Sequence, residues 1–227
     1  MEKGLFIALE GGEGSGKTTL INIMKKLFEE RGHEVVTIRE PGGTAYAEQI
    51  RELFLNTEGL TGESAAHLMN SARVDNIQKI IQPALDEGKV VISDRFSGSS
   101  LVYQGLRKDE YEAVERITKH IPMITIFVDT PPEVGISRIV DNNRETNRLD
   151  LLPMDVHESI YAGYEKLPTL KPDIYWDIIL DGTLTPNELE RVLSNEYIPL
   201  MADQLESGKC TSEIKQSVRG QESFIFA

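Results

Sequence analysis

The chain is poor in cysteine, in aromatic residues, in positive charge and in long apolar runs. A single cysteine, Cys210, stands among 227 residues. It can make no internal disulfide and cannot build a cysteine metal site. No stretch reaches the roughly 18 consecutive apolar residues that a spanning helix needs, which excludes a helical membrane protein. The first apolar run starts at Leu5 and reads as a strand, so no signal peptide is expected. Together with the lone thiol, this points to a reducing cytoplasm. Lys and Arg number 24 against 37 Asp and Glu, a formal charge of −13. A general nucleic-acid surface needs the opposite balance or a basic stripe. Local arginines can still hold a small phosphorylated ligand. The histidines, His33, His67, His120 and His157, are scattered and show no metal-ligand spacing. No internal repeat is visible, and the 40% apolar content suits one domain with a sizeable core.

The most informative stretch is Gly11-Gly12-Glu13-Gly14-Ser15-Gly16-Lys17-Thr18. A glycine, four variable residues, then Gly-Lys-Thr is the spacing of a phosphate-binding loop. The apolar run Leu5–Leu9 before it reads as a buried strand. Leu20, Ile21, Met24, Leu27 and Phe28 after it have helical spacing. Glycines let backbone amides turn toward phosphate oxygens, and the following helix adds its unpaired amides and positive dipole end. In such a loop Lys17 reaches the terminal phosphates and Thr18 sets a hydroxyl on magnesium, with Thr19 beside it. A nucleoside triphosphate is the expected ligand.

Further strands are expected at Glu34–Ile38, Val90–Ser93, Met123–Val128 and Ile178–Leu180, with Trp176 as an optional start to the last. Helical patterns fill 44–55, 61–86, 97–105, 109–119, 131–140, 155–167 and 185–200. Alternation of this kind implies an α/β fold: a five-stranded parallel sheet with helices on both faces. Thr130-Pro131-Pro132-Glu133 reads as a helix start after Asp129. Residues 141–150 are polar and aperiodic, a mobile loop. From 203 to 227 the chain is polar, and it reads as a tail to one domain spanning 1–202.

A guanine-nucleotide switch would need Asn/Thr-Lys-x-Asp, whereas Leu170-Lys171-Pro172-Asp173 lacks the first polar residue. Other segments fit a small kinase. Pro41 in Arg39-Glu40-Pro41-Gly42-Gly43-Thr44 keeps Glu40 out of helical geometry. That leaves Arg39 at the C-terminal end of a strand, where open α/β sheets bind ligands. Asp94-Arg95-Phe96 ends the next strand with a carboxylate suited to magnesium and an arginine suited to a moving phosphoryl group. Met69 and Arg73 are four apart and share one helix face. Ser100, Tyr103 and Gln104 likewise converge. Two such faces closing on a slot would hold a planar base.

From about Leu5 to Leu200 the chain resembles the thymidylate kinase family. The resemblance is carried by Leu9 to Thr19, Arg39 to Thr44, Ala72-Arg73, Asp94-Arg95-Phe96, Tyr103-Gln104-Gly105 and Val128 to Gly135. It implies a P-loop nucleoside monophosphate kinase fold that moves the terminal phosphoryl of ATP to dTMP with Mg2+. It also implies a homodimer. Carried over by motif, Glu10 is the acidic residue near acceptor phosphate and metal, and Asp94 joins Thr18 at the metal. Arg39 and Arg95 hold the acceptor phosphate and the transfer site. Arg73 reads the thymine edge, and Ser100, Tyr103 and Gln104 line the nucleoside pocket. Residues of about 141–152 form the lid, and Asp181-Gly182-Thr183 is similar to the loop around adenine.

The variable loop positions Gly12, Glu13, Gly14 and Ser15 carry no arginine. This resembles the bacterial class whose lid supplies the cation, here Arg148 with Arg144. Two departures stand out. Met69 occupies the position of an aromatic ring that stacks on the base, which keeps dUMP or a 5-substituted relative open as acceptor. Asn147 replaces an aspartate ahead of Arg148. The reading from another class is a nucleotide-binding regulator without catalysis, which intact Lys17, Asp94, Arg95 and Arg39 disfavour.

Overall fold

A computed structural model describes residues 4–104, 112, 116–118, 123–141, 146–170 and 175–219. Five strands form one sheet: β1 (Leu5–Glu10), β2 (Val35–Arg39), β3 (Val90–Asp94), β4 (Ile124–Asp129) and β5 (Ile178–Asp181). Their order is β2-β3-β1-β4-β5, and every neighbouring pair runs parallel. Each expected strand is present within a residue or two, with Trp176 just outside β5.

Alternate side chains of central β1 go to opposite faces. Leu5, Ile7 and Leu9 join one core with α1 (Lys17–Glu30). Phe6 and Ala8 join the other, with Ile81, Leu85 and Phe96. A strand covered on both faces has no polar side to show, so β1 reads as one unbroken apolar run.

The remaining helices are α2 (Ala45–Asn56), α3 (Gly62–Asn76), α4 (Gln82–Asp86), α5 (Ser97–Tyr103), α6 (Pro132–Asp141), α7 (Met154–Leu170), α8 (Pro186–Val192), α9 (Ile198–Glu206) and α10 (Thr211–Arg219). π-helical turns, Ile77–Ile81 and Leu193–Tyr197, join α3 to α4 and α8 to α9. Each precedes a proline, Pro83 or Pro199. Proline has no amide to donate and crowds the carbonyl four residues back, and a wider turn accommodates both defects. The helix expected at 109–119 lies largely outside the described residues.

The stretch beyond Ala202 departs from its polar composition as far as it is described. Residues 203–206 complete α9, and α10 lays Ile214 and Val218 on the same core as Leu5. The Thr211 hydroxyl donates to the Gly4 carbonyl (3.0 Å) and accepts from the Phe6 amide (3.2 Å). Lys215 and Arg219 pair with buried Asp177, which also accepts from the Thr125 amide. A helix that buries only one narrow seam shows few apolar residues, so its periodicity is hard to see.

Candidate functional site

All five strands end on a charged residue at the same edge of the sheet: Glu10, Arg39, Asp94, Asp129 and Asp181. The glycine-rich loop rises from the central strand into this edge. Gly14 has φ +68°, and a Cβ there would lie 2.0 Å from the Gly135 carbonyl oxygen, so the loop lies directly against α6. Gly16 caps α1 in the left-handed region, at φ 97°. Such turns are cheap for glycine alone and leave the α1 amides facing outward. Thr130, expected to cap α6, donates its hydroxyl to the Ser15 carbonyl (3.1 Å) and so braces the loop from behind.

In front of the loop lies a cleft of about 410 Å³, lined by Glu13 to Thr19 and by Arg39, Arg51, Asp94, Arg95 and Arg138. Thr18 and Thr19 are exposed at its mouth, and Asp94 is half-buried. Lys17 folds back on its own loop, donating to the carbonyls of Gly11 (3.0 Å) and Gly12 (2.7 Å) and to Ser15 Oγ (3.0 Å). Burial, and then the Arg95 guanidinium, push its ammonium down to about 8. Arg138 donates to the Gly182 carbonyl (2.7 Å), tying α6 to the turn after β5.

Arg95 sits at the centre with a left-handed backbone, φ 70°, a conformation that costs a non-glycine residue roughly 1–2 kcal/mol. It donates to the Gly11 carbonyl (2.7 Å), Tyr164 Oη (2.9 Å), Ser99 Oγ (3.2 Å) and Glu13 Oε1 (2.9 Å). Glu13 points inward and also accepts from the Tyr103 hydroxyl, at 2.6 and 2.8 Å. Burial pushes the Glu13 carboxyl up, but Arg95 and Lys17 outweigh it and hold it below the usual range.

Glu10 is expected beside the metal. It is 1% exposed and does not line the cleft. Its carboxylate lies beneath the Asp94–Phe96 turn, accepting from the Phe96 amide (3.0 Å) and Ser99 Oγ (2.5 Å). Burial raises its pKa. Glu10 thus fixes the turn that carries Arg95. Among the described residues, no group of three His, Cys, Asp or Glu could hold a metal by protein alone. Two oxygen donors, Thr18 and Asp94, suit Mg2+, which keeps waters and binds through phosphates.

A narrower slot of about 40 Å³ opens from the cleft and shares Glu40, Pro41, Phe54, Arg95 and Leu149 with it. Met69, Arg73, Ser100, Tyr103 and Gln104, which the family resemblance implies for the base and nucleoside pocket, all line this slot. Arg73 is 2% exposed and nearly saturated. Its partners are Glu40 (2.7 Å), Asn70 (3.2 Å), the Phe96 carbonyl (2.9 Å) and Ser100 Oγ (2.9 Å). Gln104 Oε1 is buried without a partner among the described residues.

Arg39 is 55% exposed at its side chain and is held by Glu48 (2.9 Å), which also accepts from the Gly43 amide (2.9 Å). In the segment expected to form a lid, Asn147 accepts from the Leu149 amide (2.8 Å) and donates to Asp150 (2.6 Å), so it organises the turn. Arg148, expected over the phosphates, donates to the Phe54 carbonyl (3.2 Å), and its guanidinium carbon lies 5.3 Å from the Phe54 ring centroid. Arg144 falls outside the described residues.

Arg51, Arg138 and Glu40 belong to this site and were not singled out from sequence. Arg51 reaches the cleft from α2, donating to the Pro41 carbonyl (3.0 Å). An arginine on a solvated helix carries no mark of this in sequence. Glu40 did have a signal: a carboxylate pinned before proline at a strand end, one helix away from a buried arginine.

With this geometry in place, comparison with known proteins is informative. The family model for thymidylate kinase matches residues 9–191. A protein named thymidylate kinase from Shouchella clausii is 42% identical over 182 residues, covering 76% of this chain and 85% of the relative. One of the same name from Clostridium novyi is 44% identical over 176 residues, covering 74% and 86%. Another from Bacillus pumilus is 38% identical over 210 residues, covering 82% and 99%. By these matches the chain belongs to the thymidylate kinase family.

Proposed function

We propose that the protein transfers the terminal phosphoryl group of Mg-ATP to dTMP, giving dTDP. One observation carries this reading: the phosphate cleft and the slot lined by Met69, Arg73, Ser100 and Gln104 meet at Arg95. A donor chain entering along the loop and an acceptor base in the slot then place their phosphates at one guanidinium. Phosphoryl transfer asks for positioning and positive charge more than for covalent help.

On binding ATP, the loop amides and the α1 N-terminus take the donor phosphates, and Lys17 exchanges its loop carbonyls for phosphate oxygens. Mg2+ would be held by Thr18 and Asp94, and when bound it neutralises charge on the transferring group. Arg95 turns to the acceptor phosphate, with Arg51 and Arg39 beside it. Arg73 and Gln104 present hydrogen-bonding groups to the base edge while Met69 and Phe54 cover its faces. Arg148 leaves Phe54 and closes over the phosphates with the lid. Arg138 secures the turn at Gly182 beside the adenine.

The acidic balance supports a small-molecule substrate and no nucleic acid. No helix among the described residues is long and apolar enough to cross a membrane, in keeping with a cytoplasmic enzyme. Exposed Tyr46, Leu53 and Val74 on α2 and α3 suit a homodimer interface.

The test is ADP formation with Mg-ATP and a panel of acceptors: dTMP, dUMP, 5-hydroxymethyl-dUMP, dCMP, dGMP and AMP. Strong preference for dTMP is expected. Preference for another uridine-type acceptor would move the substrate assignment to the Met69 slot. ATP turnover indifferent to every acceptor would favour a non-catalytic regulator.

A further inference from the structure

Behind the phosphate loop, α7 presents a histidine with no role so far. His157 is 5% exposed, and its Nε2 is buried without a hydrogen-bond partner among the described residues. Its Nδ1 lies 3.9 Å from Glu13 Oε2. That is too long for a hydrogen bond, and a carboxylate shift of about an ångström would make one. With Gly12, Glu13, Thr130 and Tyr161, the ring borders a void of about 10 Å³. Buried polar atoms are nearly always paired. An imidazole kept in this wall with its buried Nε2 unpartnered among the described residues therefore asks for an explanation beyond packing.

Glu13 supplies one. Its charged partner is Arg95 Nη2, at 2.9 Å. The other terminal guanidinium nitrogen, Nη1, is committed to the Gly11 carbonyl, Ser99 and Tyr164. An arriving acceptor phosphate draws on this guanidinium, and of its two terminal nitrogens Nη2 holds the fewer partners. Turning that nitrogen outward takes the Arg95 bond from Glu13 and leaves the buried carboxylate with the Tyr103 hydroxyl as its hydrogen-bond donor. A buried charge that loses its partner is strongly disfavoured unless another group replaces it. On α7, the group in reach is His157 Nδ1.

We propose that His157 is a positioning residue for acceptor binding. It takes over Glu13 as Arg95 turns to the acceptor's phosphate. The step is an exchange of hydrogen bonds, with no bond made or broken in the protein. It rests on the phosphoryl-transfer reading above, because it needs an acceptor phosphate at Arg95.

Steady-state kinetics of the full chain with dTMP and Mg-ATP tests it. His157→Phe keeps the ring and removes the donor. It should raise the KM for dTMP about tenfold, the worth of one hydrogen bond to a charged group. The KM for ATP and kcat should stay within about twofold, as for a loss confined to acceptor binding. His157→Asn sets an amide nitrogen near the Nδ1 position and should bring the acceptor KM back to within about threefold of the parent. If the Phe variant does not fold, His157→Leu serves in the same comparison with Asn. A Phe or Leu variant with the parent's acceptor KM would overturn the proposal. So would an Asn variant as impaired as Phe, or a loss of kcat and both affinities together with a lowered urea midpoint. Parent protein inactive toward dTMP would instead sink the phosphoryl-transfer reading itself.

Discussion

Lys17 and Arg73 are both buried cations, and they answer to opposite demands. Lys17 waits on carbonyl oxygens with its pKa lowered to about 8. Phosphate among the loop amides favours the charged form, so it should raise that value again. ATP binding just above pH 8 should then take up a proton, and affinity should weaken as pH rises through the Lys17 value. Calorimetry in buffers of different ionisation enthalpy reads the uptake directly. Buffer-independent heats there would exclude Lys17 as the titrating group. Arg73 is locked to Glu40, whose carboxyl is raised by burial and drawn back by Arg73. Arg73→Ala leaves that carboxylate uncompensated and should cost about 3–5 kcal/mol in urea unfolding. A loss below about 1 kcal/mol would mean that Glu40 finds another partner or protonates freely. At this scale, residues whose chemistry is local were legible. The phosphate loop declares itself because its function needs one contiguous spacing. Arg51 and the inward turn of Glu13 were hidden because their meaning depends on chain segments tens of residues away.

Among the elements, α10 and the lid segment differ most from what their composition suggests. Ile214 on α10 is fully buried against the β1 face opposite Phe6. Ile214→Ala should cost about 2–5 kcal/mol of stability. kcat should hold, because α10 reaches Gly4 and Asp177, just ahead of β1 and β5, whereas the cleft lies at the C-terminal ends of the strands. A matched fall in kcat would tie α10 to the site and contradict that separation. The lid carries the opposite expectation. Arg148→Ala should lower kcat about 100-fold while leaving the urea midpoint in place, since removal of one transition-state donor has that scale. Unchanged turnover would remove Arg148 from phosphate closure and leave it the role it has here, covering Phe54. Strands were easier to anticipate than these pieces. Burial on both faces forces continuous apolar runs, whereas a helix with one buried seam or a short polar turn leaves little periodic trace.

For the whole molecule, the arrangement of charge and apolar surface sets the expectations. Sedimentation equilibrium should give twice the 25.4 kDa chain mass. Leu53→Asp, on the exposed face of α2, should shift the protein toward monomer. A parent protein that sediments as a monomer would rule out the assembly proposed for this face. The fold class was readable in advance because five apolar runs alternate with helical patterns, and one loop fixes where the sheet binds phosphate. The Thr211 contacts with Gly4 and Phe6 have a consequence of a different kind. They link residues more than 200 positions apart, at the lower end of the central strand. A ribosome makes that strand about 200 residues before its closing partner. The nucleotide-binding strand thus leaves the exit tunnel with one end unfinished, and its layer is completed only after those residues have followed.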